Sequence, residues 1–182
     1  MGEIRRLSYE ELDPKLRDVL HAKVERLGYL GEFFAVAGRQ PEATRAFQEF
    51  TEALKAALRP ELTEVVALCV ASTLGNAYEQ TQHEQLSSKL GFSPEWIAAA
   101  VGRGDPSVLS EESRTARALA ASVVDGYGRG AASELAGAVD VLGEDTAVGV
   151  LLTVGRYVAH AVVANTLELQ APVPSVLPVA AP

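Results

Sequence analysis

The chain has 182 residues, enough for one domain with a sizeable core; its hydrophobic share is 48% but only 6% is aromatic, so that core is built of Ala, Val and Leu. A net charge of −8 with no Lys/Arg cluster excludes a nucleic-acid partner. The single cysteine, Cys69, excludes an internal disulfide and a CxxC redox or zinc motif.

Helix punctuation is dense and strand patterning is absent. Asp13-Pro14 starts a helix that Gly28 closes. A short apolar helix follows around Leu30 to Ala37, ended by Gly38. Pro41 opens the next, with Phe47, Phe50 and Leu54 as its expected buried stripe. Pro60 opens a helix through Leu74, and Gly75 ends it. A helix from about Asn76 to Leu90 has Gly91 beyond its end. Ser93-Pro94-Glu95 caps a short helix with Trp96 and Ile97. The segment Gly102 to Pro106 is a loop. Ser110, with Glu111 and Glu112, starts a helix that ends near Gly126. Two more helices span about Ala131 to Leu142 and Glu144 to Leu169. The last is apolar but contains Arg156, His160, Asn165 and Glu168, which fits a buried helix and not a membrane span. The Pro-rich tail, 171–182, reads as an extended arm on a neighbouring molecule or as disorder. Residues 1–170 form a single domain on this reading, with no linker and no repeat. The N-terminus lacks the apolar core of a signal peptide, so the expected compartment is the cytoplasm.

One helix stands out chemically. Glu79 and His83 lie four residues apart and share a face, with Glu64 one helix upstream. A carboxylate beside an imidazole is the minimum equipment for acid–base chemistry near neutral pH. Their surroundings are Tyr, Gln and Thr instead of Lys and Arg, unlike an ordinary solvated face. Tyr78 offers a hydroxyl to a substrate or packs as an aromatic. Arg156 and His160, also four apart, either complete a pocket for an anion or make a buried polar contact. Cys69 lies in an apolar run and reads as a buried small hydrophobe; His21 reads as a surface residue. No metal is expected.

From Arg59 onward the chain resembles the carboxymuconolactone decarboxylase family, which includes the AhpD-type alkylhydroperoxidases. Three stretches carry the resemblance: Arg59-Pro-Glu-Leu-Thr-Glu64-Val-Val-Ala-Leu, Gly75-Asn-Ala-Tyr-Glu79-Gln-Thr-Gln-His83-Glu, and Lys89-Leu-Gly-Phe-Ser-Pro-Glu-Trp-Ile-Ala98. Gly155-Arg-Tyr-Val-Ala-His160 and Ala164-Asn165-Thr fit the family's closing helix, so the resemblance covers about residues 59–169. It implies an all-α, AhpD-like helical bundle assembled as a homo-oligomer (dimer, trimer or hexamer). AhpD-type peroxidases read C-x-x-C-x-x-x-H, with a Glu twelve residues upstream of the first Cys. Here the thiol positions fall on Asn76 and Glu79, while Glu64 and His83 remain in register. Asn and Glu cannot cycle through a disulfide, so the resemblance points away from the peroxidase branch. It implies cofactor-free decarboxylation or isomerisation of a small organic acid or lactone. His83 would move the proton, Glu79 and Glu64 would tune it, and Tyr78, Asn76, Arg156 and His160 would hold the substrate. A peroxide-linked activity through Cys69 and a non-catalytic helical oligomer are the alternatives.

Overall fold

A computed structural model describes residues 4–178. Among these residues it contains nine α-helices, one 3-10 turn and no strand. The chain forms two compact units, Met1–Ala53 and Leu54–Pro182. The boundary lies inside a helix, which is why no Gly- or Pro-rich linker marks it in the sequence.

The first unit contains α1 (Pro14–Leu27), α2 (Glu32–Ala37) and most of α3 (Pro41–Ala57). Asp13 caps α1 by accepting the Lys15 and Leu16 N–H groups, and Gly28 ends it at φ 79°. Helix α2 begins at Glu32, after Gly31, and not at Leu30. Its Phe33 packs edge-on to Phe34 and against Phe47. The stripe expected on α3 is rotated. Leu54 is buried, but Phe50 is exposed and the buried positions before Leu54 are Thr44, Gln48 and Thr51. Each of these finds a partner: Thr44 donates to the Ala37 carbonyl, Thr51 to the Phe47 carbonyl, and Gln48 accepts from Lys23. Once bonded, small polar groups are cheap to bury, so the face is set by hydrogen bonds as well as by apolarity. His21 is exposed and pairs with Glu25 at 3.4 Å.

The second unit is built around α4 (Pro60–Thr73). Every residue from Leu62 to Ala71 is buried, so this helix has no solvated face and sits at the centre. Around it pack α5 (Ala77–Lys89), α6 (Pro94–Ala100), α7 (Glu111–Gly126) and α9 (Glu144–Thr166), while α8 (Ala132–Leu142) closes against α7 and α9. A 3-10 turn, Pro106–Val108, interrupts the loop before α7. Gly126 is the last residue of α7, and Tyr127, not a glycine, takes the left-handed cap at φ 51°. Helix α9 ends at Thr166, short of Leu169. By length and composition alone it could cross a membrane, a property that core helices share, and 56% of its most apolar window is buried within the protein. The tail departs from the arm expected on a neighbour. Its described part folds back onto α5 of the same chain, where Ser175 and the Val176 N–H donate to the buried Glu84 carboxylate and Leu177 joins the core. Val176 and Leu177 thus find their cover on the same chain. Residues 179–182 lie outside the described part.

Candidate functional site

Helix α5 is the anomaly of the second unit. It buries Tyr78, Glu79, Thr81, His83, Glu84 and Ser87, and no Leu, Val or Ile. Burying so many polar groups is costly unless each is bonded. Among the described residues no buried side-chain nitrogen or oxygen lacks a partner.

The seven sequence-identified residues come to one place. Asn76 caps α5, accepting the Glu79 N–H at 3.2 Å. Gly75, at φ 62°, turns the chain so that α5 returns along α4. That return brings His83 to Glu64, with Nδ1 2.7 Å from Oε2. Ser87 donates to the same oxygen at 3.3 Å. On the other ring nitrogen, Nε2 is 3.1 Å from the Tyr157 hydroxyl and 3.6 Å from Glu79 Oε1. The short bond to the imidazole is therefore made by Glu64 on the neighbouring helix, and the carboxylate four residues away is the longer contact. The reason is that Glu79 is drawn toward α9. Arg156 donates to its Oε1 at 2.8 Å, and His160 Nε2 lies 3.3 Å from its Oε2. Tyr78 is buried with its ring stacked on His160, centroids 5.9 Å apart. The Arg156 guanidinium lies over the Tyr157 ring at 4.3 Å.

These contacts set protonation. Burial alone would push the His83 imidazolium toward its neutral form, but the Glu64 and Glu79 carboxylates outweigh it and raise its pKa to about 9. At neutral pH the ring is then cationic, donating Nδ1–H to Glu64 and pointing Nε2–H at the Tyr157 oxygen. Burial would raise the Glu79 carboxyl, yet His160, Arg156 and His83 together hold it well below the usual carboxylate range. The cluster is an acid (His83) whose proton is shared with a nearly charge-balanced surround.

Two members were not picked out from sequence, Tyr157 and Ser87. Ser87 lies one helical turn beyond His83, so the i, i+4 rule would have found it. Tyr157 gave no such signal, because α9 is apolar on most sides and its spacing does not say which side meets α5. Among the described residues no three His, Cys, Asp or Glu side chains are arranged to hold a metal ion. Cys69 is buried, and desolvation raises its thiol pKa despite Arg117 nearby. A cleft of about 130 Å³ lies elsewhere in the unit, lined by Leu58, Arg59, Leu62, Glu112 and Leu142 among others.

Residues 41–122 match the carboxymuconolactone decarboxylase family. The matched region is the central part of the chain. It starts earlier than residue 59, at the head of α3, and holds Glu64, Asn76, Tyr78, Glu79 and His83, while Arg156, Tyr157 and His160 lie beyond it. No curated protein matches the chain in sequence. Among solved structures, a cysteine-to-alanine variant of the debrominase Bmp8 in complex with 2,3,4-tribromopyrrole superposes with a TM-score of 0.81 at 16% identity, covering 93% of this chain and 91% of that one. ATU0492 from Agrobacterium tumefaciens, a protein of unknown function named for the antioxidant defence protein AhpD, gives 0.69 at 20% identity, over 76% and 96% of the two chains. At such identities these neighbours establish a shared all-α fold.

Proposed function

We propose that this carboxymuconolactone decarboxylase family member performs cofactor-free acid–base chemistry, decarboxylation or isomerisation, on a small organic acid or lactone. The observation that supports it is His83, buried and held cationic between Glu64 at 2.7 Å and Glu79 at 3.6 Å. Losing CO2 leaves an enolate-like charge that must be stabilised and then protonated on carbon. An imidazolium with a directed Nε2–H does both. Glu64 orients the ring and sustains its charge, and the Tyr157 hydroxyl oxygen accepts the Nε2–H hydrogen bond in the resting site. A peroxidase reading has less support, since the one thiol is buried and neutral at physiological pH.

The test is a mass-spectrometric screen of small carboxylic acids and lactones for CO2 loss or isomerisation, with 2,3,4-tribromopyrrole added because a fold neighbour binds it. The expected result is turnover of an acid or lactone that drops by at least about 100-fold in His83→Gln. Turnover unchanged in that variant, or none on any acid or lactone, would refute the proposal. The same reading has the protein act in the cytoplasm as a homo-oligomer. Its support is the exposed apolar residues Val148, Leu152 and Val162 of α9, and sedimentation at 19.3 kDa would overturn it.

A further inference from the structure

Asn76 does more than cap a helix. Its Oδ1 lies 3.2 Å from the Glu79 backbone nitrogen, and its Nδ2 lies 3.4 Å from Nδ1 of His160. These two contacts constrain each other. A backbone N–H can only donate, so the amide oxygen must face it, and the orientation of the amide is fixed. The NH2 end then faces His160, and it too can only donate. Nδ1 of His160 must be the acceptor, bare of a proton, so the ring proton belongs on Nε2. The far side of the ring agrees, because Nε2 faces Glu79 Oε2 at 3.3 Å and a carboxylate only accepts.

We infer that Asn76 locks His160 as the neutral Nε2–H tautomer, so that the two histidines of the site are held in opposite protonation states. The groups around the ring are consistent with this. Glu79, from α5, draws a proton toward Nε2. Arg156, one turn earlier on α9, already bonds the same carboxylate and opposes a second full charge beside it. His83, also on α5, brings a further positive charge to Glu79 Oε1 at 3.6 Å. Tyr78 lies against the ring face and contributes no charge. At neutral pH His160 then helps Glu79 as an N–H dipole, and it adds its charge to those of Arg156 and His83 only at the acid pH where Glu79 itself titrates. Proton transfer needs partners whose protonation differs at one pH, and the cap of α5 supplies that difference. Asn76 thereby acts as a positioning residue. Its catalytic meaning rests on the acid–base reading above; the tautomer itself does not.

The experiment is long-range proton–nitrogen NMR on protein with 15N-labelled histidine, the His160 signals being assigned by their loss in His160→Gln. At neutral pH the expected pattern for His160 is a protonated Nε2 and a bare Nδ1, beside a His83 protonated on both nitrogens. A His160 protonated on Nδ1, or on both nitrogens, overturns the inference. Asn76→Asp sharpens the test, because the new carboxylate still caps Glu79 but offers His160 an acceptor in place of a donor. The expected change is a proton gained at Nδ1 and a His160 titration midpoint raised by about one pH unit or more. A His160 titration unmoved by this variant would mean that Asn76 is only a cap. Should the variant fail to fold, the wild-type spectrum decides. Failure of the acid–base proposal would show instead as absent turnover with this spectrum intact.

Discussion

His83 ties the charge of the site to the stability of the fold. Its pKa of about 9 in the folded protein stands above the ordinary 6.5, so folding favours the protonated ring. Its stabilisation is complete below about pH 6.5 and is lost as pH rises through about 9. Glu79 has the opposite sign. Its lowered carboxyl stabilises above the ordinary carboxylate range, and that contribution fades on acidification. Glu64→Gln removes the leading cause of the His83 shift. The variant should lose on the order of 1–3 kcal/mol less than wild type between about pH 7 and about pH 10, read by urea unfolding. Parallel losses in both proteins would contradict the assignment. Arg156 gives a second, independent prediction. Arg156→Met strands the buried Glu79 carboxylate and should cost about 3–5 kcal/mol, whereas Arg156→Met combined with Glu79→Gln should recover a large part of it. A double variant no more stable than the single one would show that Arg156 acts by packing on Tyr157 instead.

At the scale of elements, the starts of helices are legible in the sequence and their faces less so. Asp13, Asn76, Ser93 and Ser110 each accept backbone N–H bonds as caps, because a short side-chain acceptor is needed where helical N–H groups have no partner. The face of α3 departs from the expected stripe because apolar spacing gives no weight to Thr44, Gln48 and Thr51, whose hydrogen bonds make burial inexpensive. In the site, the pair on one helix is visible from spacing. The Glu64 bond and the Arg156 contact depend on how α4 and α9 align with α5, and register between helices is not written in local periodicity. The end of α7 is the other divergence. Tyr127 occupies a left-handed conformation at φ 51° that glycine adopts without strain, and its side chain is exposed. Tyr127→Gly should therefore stabilise by about 0.5–1 kcal/mol, seen as a higher midpoint of thermal unfolding. A lower midpoint would mean that the tyrosine ring makes a compensating contact.

For the whole molecule, the central helix α4 supplies a reporter. Cys69 lies within it at 1% exposure, its Sγ facing the Arg117 carbonyl. Its labelling by a thiol reagent should proceed only through opening of the second unit, with a rate that follows unfolding across denaturant concentrations. Fast labelling of the native protein would reveal a local opening around α4 and reopen the question of thiol chemistry. The order in which residues meet has its own consequence. Glu79 waits 77 residues for Arg156, and Glu84 waits 91 for Ser175. During synthesis α5 therefore emerges with two carboxylates, Glu79 and Glu84, whose Arg156 and Ser175 partners arrive only with α9 and the tail. A nascent chain halted before α9 can gather Val65 to Val70 but cannot close α5 over them. That intermediate would expose the fully buried central helix α4 to chaperones, and release from them would depend on α9 and the segment that packs on α5 having been made.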